Sequence, residues 1–361
     1  MMDLFKSIGQ KALFSFDAET AHGLSIKGLK SGIVPSCPSI NDPRLIQDVA
    51  GMHFPNPVGL AAGYDKNAEV PDAVLKLGFG FTEVGTLTPR PQSGNPKPRV
   101  FRLADKKGVI NRLGFNNEGH VAALKRLEAR RNRPGIVGVN IGANKDTDDF
   151  VADFVKGITG FAHLANYFTV NISSPNTPGL RNLQTGEALQ RLLDQVFEAR
   201  EKTDKRPPVF LKLAPDLTDT DITEISKVIA SSALSGVMVS NTTLSRGGVE
   251  NSPNAQEAGG LSGTPLFERS TIMLARFREA LPADLPLIGI GGISNAETAW
   301  AKIEAGASLV QLYSCMIYEG PHIANKICKG LLKKMDAEGI TSLEAIRGRK
   351  SAKWAGKNLA A

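Results

Sequence analysis

Two lysines, six asparagines and a serine stand where apolar runs give way to loops. Those residue types suit the handling of a small, flat, anionic molecule. Lys66 closes the segment GLAAGYDKN and Lys212 lies inside FLKLAP. A lysine is seldom buried without an anion. One alone could snorkel from an exposed strand end, but two that converge suggest an anionic substrate, or a cofactor that gains charge on reduction. Asn140, Asn171 and Asn241 end apolar runs, and Asn111, Asn116 and Asn176 lie in loops. Asparagine often closes turns. Carboxamides also pair donors and acceptors without charge, which fits a pyrimidine edge or an isoalloxazine ring. Ser174 sits in SSPNTPG just before Pro175 and near Pro178, with no histidine or aspartate beside it to complete a triad. It either satisfies a rigid loop or acts as a base activated by its closed surroundings. Glycines cluster in GIGGI at 289–293 and in TLSRGG to GGLSG at 243–263. Gly263, Gly292, Tyr313 and Ser314 are spaced to offer backbone amides to a phosphate, or simply to turn the chain.

These residues need a scaffold that brings distant segments to one rim. Eight short apolar runs, each followed by punctuation and a helical stretch, supply it. They are Pro57 to Ala61, Phe79 to Gly85, Ile136 to Ile141, Tyr167 to Ile172, Val209 to Leu213, Val237 to Ser240, Leu287 to Ile290 and Leu309 to Tyr313. Runs apolar throughout, rather than alternating, predict parallel strands buried on both faces. Eight such units predict a (β/α)8 TIM barrel, an α/β fold that places its chemistry on the loops at the C-terminal strand ends. A doubly wound open sheet fits less well, because no GxGxxG follows the first strand.

The 361 residues are 42% hydrophobic and 22% charged, enough for one large core. A net charge of +7 suits an anionic partner without choosing among lipid, nucleic acid and small acid. Cys37, Cys315 and Cys328 are three in number with no CxxC pair, which argues against a disulfide framework or a thiolate zinc site. The five histidines show no metal-ligand spacing, so no metal is expected. No apolar run is long enough to cross a bilayer.

The segments VNISSPNTPGLR at 170–181, NRLGFNN at 111–117 and GLAAGYDKN at 59–67 resemble dihydroorotate dehydrogenase signatures. KLAPDL at 212–217, SNTT at 240–243, GGLSG at 259–263 and LYS at 312–314 agree, so the resemblance spans nearly the whole chain. It implies a barrel holding flavin mononucleotide (FMN), with dihydroorotate oxidised to orotate on the flavin face under the loop that carries the base. In the membrane-associated class that base is serine, matched by Ser174; in the soluble class it is cysteine, and no cysteine occupies this loop. The resemblance assigns the substrate to Lys66, Asn111, Arg112, Leu113, Gly114, Phe115, Asn171, Asn176, Asn241 and Thr242. It assigns the flavin to Ala61, Ala62, Gly63, Tyr64, Asp65, Thr86, Asn140, Asn171, Lys212, Ser240, Gly263, Gly292, Tyr313 and Ser314. Thr177 would relay the proton of Ser174 through water. The family usually has glycine where Cys315 stands.

The first 40 residues read as a separate helical attachment to a catalytic domain at 41–361. Leu4, Phe5, Ile8, Ala12 and Phe16 form one apolar stripe. A second helix is expected after Asp17 as N-cap, with Ala18, His22, Ile26 and Leu29 on one side. Such helices could close the barrel bottom. FDAETAHGL at 16–24, however, resembles the membrane class, where a helical cap lies in the lipid interface and leads a quinone to the flavin. His22 and Arg102 would then hold the quinone head group. The implied protein is peripheral, on the cytoplasmic side of the cell membrane, and serves pyrimidine biosynthesis without binding nucleic acid. Rival readings are a soluble FMN barrel using NAD or fumarate, an enzyme like the tRNA dihydrouridine synthases, and a non-catalytic binding protein.

Overall fold

A computed structural model describes residues 13–37 and 40–359. Its centre is a closed barrel of eight parallel strands in strict chain order. They are β3 (Val58–Asp65), β4 (Phe81–Leu87), β7 (Ile136–Ile141), β8 (Tyr167–Asn171), β9 (Val209–Leu213), β10 (Gly236–Val239), β12 (Leu287–Ile290) and β13 (Leu309–Leu312). Each lies within a few residues of an apolar run read from the sequence, and β13 pairs with β3 to close the ring. The connecting helices include α4 (Phe150–Phe161), α5 (Gly186–Glu201), α6 (Asp219–Ala230), α7 (Phe267–Ala280), α8 (Ala296–Glu304) and α10 (Ile323–Glu338).

The barrel interior is filled by interlocking large and small residues, as its radius demands. Phe81, Tyr167 and Phe210 each sit opposite a glycine of an adjacent strand, Gly59, Gly138 and Gly236. A methyl group at Gly59 would come within 2.4 Å of the Phe81 ring, and one at Gly138 within 2.1 Å of Tyr167. A hairpin of β1 (Gln47–Val49) and β2 (Met52–Phe54) closes the bottom, its Phe54 ring 5.0 Å from that of Phe81. Contrary to the expectation of runs apolar throughout, the strands carry polar residues inside the barrel. Thr82, Glu83, Thr169, Lys212 and Gln311 are buried among them.

Two excursions decorate the top. β5 (Val100–Leu103) and β6 (Gly108–Asn111) interrupt the path from β4 to β7, and β11 (Gly260–Gly263) interrupts the path from β10 to α7. The three form an antiparallel sheet in the order β11-β6-β5, which delivers Asn111, Arg102 and Gly263 to the rim.

The predicted second N-terminal helix is α1 (Ala18–Lys30), capped by the Asp17 carboxylate, which accepts from the backbone N–H of Glu19 and Thr20 at 3.1 and 3.0 Å. Ala21, Ile26 and Leu29 face inward. Arg99 holds the helix to the barrel top with a fork of two bonds to Glu19, at 3.0 and 2.7 Å. Burial pushes the Glu19 carboxyl up, but Arg99 and Lys97 outweigh it and hold it below the ordinary value. Of the predicted first helix, Leu4 to Ala12 lie outside the described residues. No described helix is long and apolar enough to cross a membrane.

Candidate active site

The C-terminal strand ends surround a cavity of about 920 Å³ that continues beneath α1. Its wall includes Ala61, Ala62, Gly63, Tyr64 and Lys66 from the end of β3, Thr86 from β4, Asn171 and Ser174 from β8 onward, and Lys212 from β9. Ser240, Asn241 and Thr242 join from β10, Gly263 from β11, Gly292 from the turn after β12, and Tyr313 and Ser314 from the end of β13. Asn111, Leu113, Gly114, Phe115, Asn116 and Asn176 complete the roof. Residues more than 250 positions apart therefore share one rim because the barrel closes.

Three expected site residues stand elsewhere. Asp65 does not line the cavity: its carboxylate accepts from the backbone N–H of Asn67, Glu69 and Val70 at 3.3, 2.8 and 2.8 Å and so shapes its own loop. Arg112 points outward to Glu257 at 2.6 Å, with its guanidinium 4.6 Å from the centre of the Phe101 ring. Asn140 is wholly buried one layer behind the wall, where its Oδ1 accepts from Thr86 Oγ1 at 2.6 Å and Asn171 Nδ2 at 3.2 Å.

Above this layer the carboxamides form a continuous chain. Asn171 Nδ2 donates to Thr86 at 2.9 Å, Ser173 Oγ donates to Asn171 Oδ1 at 2.8 Å, and Asn241 Nδ2 donates to Ser173 Oγ at 2.9 Å. Such bonding fixes which end of each amide faces the cavity. Lys212 is 5% exposed and makes no hydrogen bond among the described residues; burial lowers its pKa, while the charge of Glu83 opposes the shift.

Ser174 is 4% exposed, and its Oγ accepts from the backbone N–H of Asn176 at 3.2 Å, leaving its own proton to be directed elsewhere. Arg181 braces this loop, donating from Nε to the carbonyl of Ser173 at 3.0 Å, from Nη2 to that of Thr242 at 3.2 Å and from Nη1 to Asp216 at 3.0 Å. Thr177 Oγ1 and Asn116 Oδ1 are buried with no hydrogen-bond partner among the described residues. Unmet polar atoms of this kind call for water or a ligand.

Lys66 stands at the join between this polar half and the passage under α1. Burial lowers its pKa to about 8, and its ammonium makes no ion pair among the described residues. It donates instead to His22 Nε2 at 3.2 Å, so His22 carries its proton on Nδ1 and donates to Tyr313 OH at 3.2 Å. Burial, then the Lys66 charge, holds His22 well below its ordinary pKa and neutral. Tyr64, raised to about 12 by burial, meets Ser25 at 3.1 Å.

The passage itself is apolar, with Phe14, Leu24, Leu29, Ile33, Val34 and Pro35 among its walls. Arg102 also lines it, although its donors go to the carbonyls of Leu13, Phe14 and Phe16 at 3.3, 3.3 and 2.9 Å. Motifs did not reveal these walls: they are ordinary apolar residues that acquire meaning once α1 folds over the rim. At the far end Ser262 Oγ and Ser314 Oγ lie 2.7 Å apart beside Gly263 and Gly292, where a Cβ would clash with Lys107 and Phe267. The Cys315 thiol is buried there and pushed up to about 12 by burial, so it stays protonated and inert. Among the described residues no three His, Cys, Asp or Glu side chains are grouped to hold a metal ion.

Barrel and rim together define a (β/α)8-barrel enzyme that handles a small anion at its C-terminal face. Residues 44–335 match the family described as dihydroorotate dehydrogenase. The chain is 62% identical over 364 residues to the dihydroorotate dehydrogenase (quinone) of Brucella melitensis, covering 99% of this chain and all of the relative, and equally so to that of Brucella ovis. The crystal structure of Eimeria tenella DHODH in complex with ferulenol superposes with a TM-score of 0.89 at 39% identity, covering 92% of this chain and 96% of that one. Ligand-free DHODH from the same organism gives 0.90. The chain belongs to the dihydroorotate dehydrogenase family.

Proposed function

We propose that this chain is a quinone-dependent dihydroorotate dehydrogenase, oxidising (S)-dihydroorotate to orotate with FMN and passing the electrons to a membrane quinone in pyrimidine biosynthesis. The observation that carries the reading is the single cavity that joins a cationic, carboxamide-lined half bearing Ser174 to an apolar passage under α1. The residues present fit FMN: Lys212 supplies a buried cation that makes no hydrogen bond among the described residues, Thr86 and Asn171 present oriented polar groups, and Gly263 and Gly292 allow the backbone to approach a phosphate. When bound, the flavin supplies a two-electron acceptor for C6 of dihydroorotate and a donor to the quinone.

The chain's own groups do the rest. Lys66 pairs with the substrate carboxylate, while Asn111, Asn176, Asn241 and Thr242 hold its ring. Ser174 takes the proton from C5, with Thr177 positioned to pass it to water, and the closed loop fixes the reacting geometry. Tyr313 and His22 bound the quinone head at the inner end of the passage. Arg102 holds the chain ahead of α1 in place beside it. The protein associates peripherally with the cytoplasmic face of the cell membrane through residues 1–40.

The test is anaerobic mixing of the purified yellow protein with dihydroorotate, followed by a ubiquinone analogue or NAD in separate experiments. Bleaching that quinone reverses and NAD does not is the expected result; absence of bleaching overturns the substrate assignment. A substitution probes the passage separately. Gly28, on α1 at the cavity wall, has room for a Cβ beside Val34 at 3.7 Å. Gly28→Leu would place further methylenes in the passage, at roughly 1–3 kcal/mol. Quinone reoxidation is expected to slow by about 10- to 100-fold, with bleaching by dihydroorotate unchanged. Equal slowing of both steps would show that the quinone does not use this passage.

A further inference from the structure

Glu83 has no place in the chemistry derived above, yet it lies at the centre of the barrel, wholly buried. Its Oε1 accepts from Asn140 Nδ2 at 2.6 Å, and its Oε2 accepts from Gln311 Nε2 at 2.9 Å and Tyr167 OH at 3.2 Å. Three strands thus donate to one carboxylate just above the aromatic layer that fills the lower barrel. A buried charge is costly unless it is hydrogen-bonded and balanced by an opposite charge. Among the described residues of the barrel strands, Lys212 of β9 is the buried cation; it pairs in register with Asn171, whose carboxamide bonds to Asn140 above Glu83. Elsewhere on the ring, β8 presents the Tyr167 phenol, which burial and then Glu83 push well above its ordinary value, and β13 presents the neutral Gln311. The lysine is equally deprived, since it is buried with no hydrogen bond among the described residues.

We propose that Glu83 is a positioning residue for the flavin site: its carboxylate is the buried counter-charge that keeps Lys212 protonated, and it fixes the carboxamide of Asn140. Asn140 is then obliged to turn Nδ2 down to Glu83 and Oδ1 up to Thr86 and Asn171, which form the cavity wall. A protonated Lys212 stabilises the negative charge that reduction places on the flavin, so Glu83 sets the reduction potential through the lysine. The inference rests on the flavin reading above.

Glu83→Gln keeps the shape and removes the charge. The test is the flavin midpoint potential of wild type and variant between about pH 6 and 9, with FMN affinity of the apoprotein measured alongside. At the acid end Lys212 keeps its proton, and loss of a nearby negative charge leaves the variant potential at or above wild type. As pH rises Lys212 loses its proton in the variant, and the potential falls below wild type by a factor of ten in reduced-state stability, about 30 mV for a two-electron couple. Glu83→Asp, which retains the charge, should restore the wild-type pH dependence. A potential above wild type at every pH would overturn the proposal, because Glu83 would then act as a bare negative charge. So would a difference that does not vary with pH, because its role would then be packing.

If Glu83→Gln fails to fold, Lys212→Met reads the same pair from the other side. Without the lysine, the pH-dependent limb assigned to Lys212 should vanish from the potential; a limb that persists in this variant would overturn the coupling. Wild-type protein that binds no FMN would instead refute the flavin reading. FMN-bound wild type bleached by dihydroorotate, with unaltered potentials in the variants, would refute this inference alone.

Discussion

Ser174→Ala is expected to slow flavin bleaching by dihydroorotate by roughly 10²- to 10⁴-fold, the range attributed to a positioned general base. Bound FMN and its reoxidation by quinone should be unaffected. The surroundings of the hydroxyl suit it to that role. Its oxygen is held by the N–H of Asn176, and the unpartnered Thr177 hydroxyl lies three residues along the same loop. Among the described residues, no carboxylate or histidine bonds Ser174 to take over its role. Ser174→Cys is the informative companion, since a thiol with an ordinary pKa near 8.5 would restore part of the rate and make it climb with pH. Stopped-flow bleaching at saturating dihydroorotate checks both, and a wild-type rate in the alanine variant would end the base assignment.

Lys66→Met should weaken dihydroorotate capture next most severely. A half-buried cation without an ion pair among the described residues suits an anion, and losing one partner of a desolvated charge pair costs roughly 2–5 kcal/mol. That corresponds to about a 30-fold or greater loss in kcat/KM. The pH sign follows from the direction of the shift. Burial lowers Lys66 to about 8, so the binding cation is present below that pH and lost above it. Wild-type kcat/KM should therefore decline as pH rises through about 8, while the methionine variant, already low, should lack that limb. If the decline persists in the variant, another group causes it.

Much of this was legible in the sequence, and the exceptions have physical reasons. The eight strands could be read because buried parallel strands leave continuous apolar runs, and Asp17 could be read as a cap because capping is local. Glu83 and Gln311 escaped because a run of mostly apolar residues hides a polar layer whose partners lie on other strands. Asp65 and Arg112 sit next to true wall residues in sequence, but strand alternation and loop turns aim neighbours in opposite directions. Asp65 turned to its own loop and Arg112 to Glu257. Asn140 stands at a strand end as the sequence suggested, but its complete burial could not be read there, because depth in a barrel depends on register that no single run reveals. The passage was legible as a helix, not as a lining, since its walls are defined only by what α1 covers.

Arg181 carries a consequence for timing. Because one guanidinium holds the carbonyls of both Ser173 and Thr242 and is itself held by Asp216, the segment bearing the base and the segment bearing the substrate's carboxamide partner are mechanically one piece. A loop that opens to admit a ligand must carry both away together, and a loop that closes must restore both. Asp216, which does not line the cavity, is thereby tied to any movement of either segment.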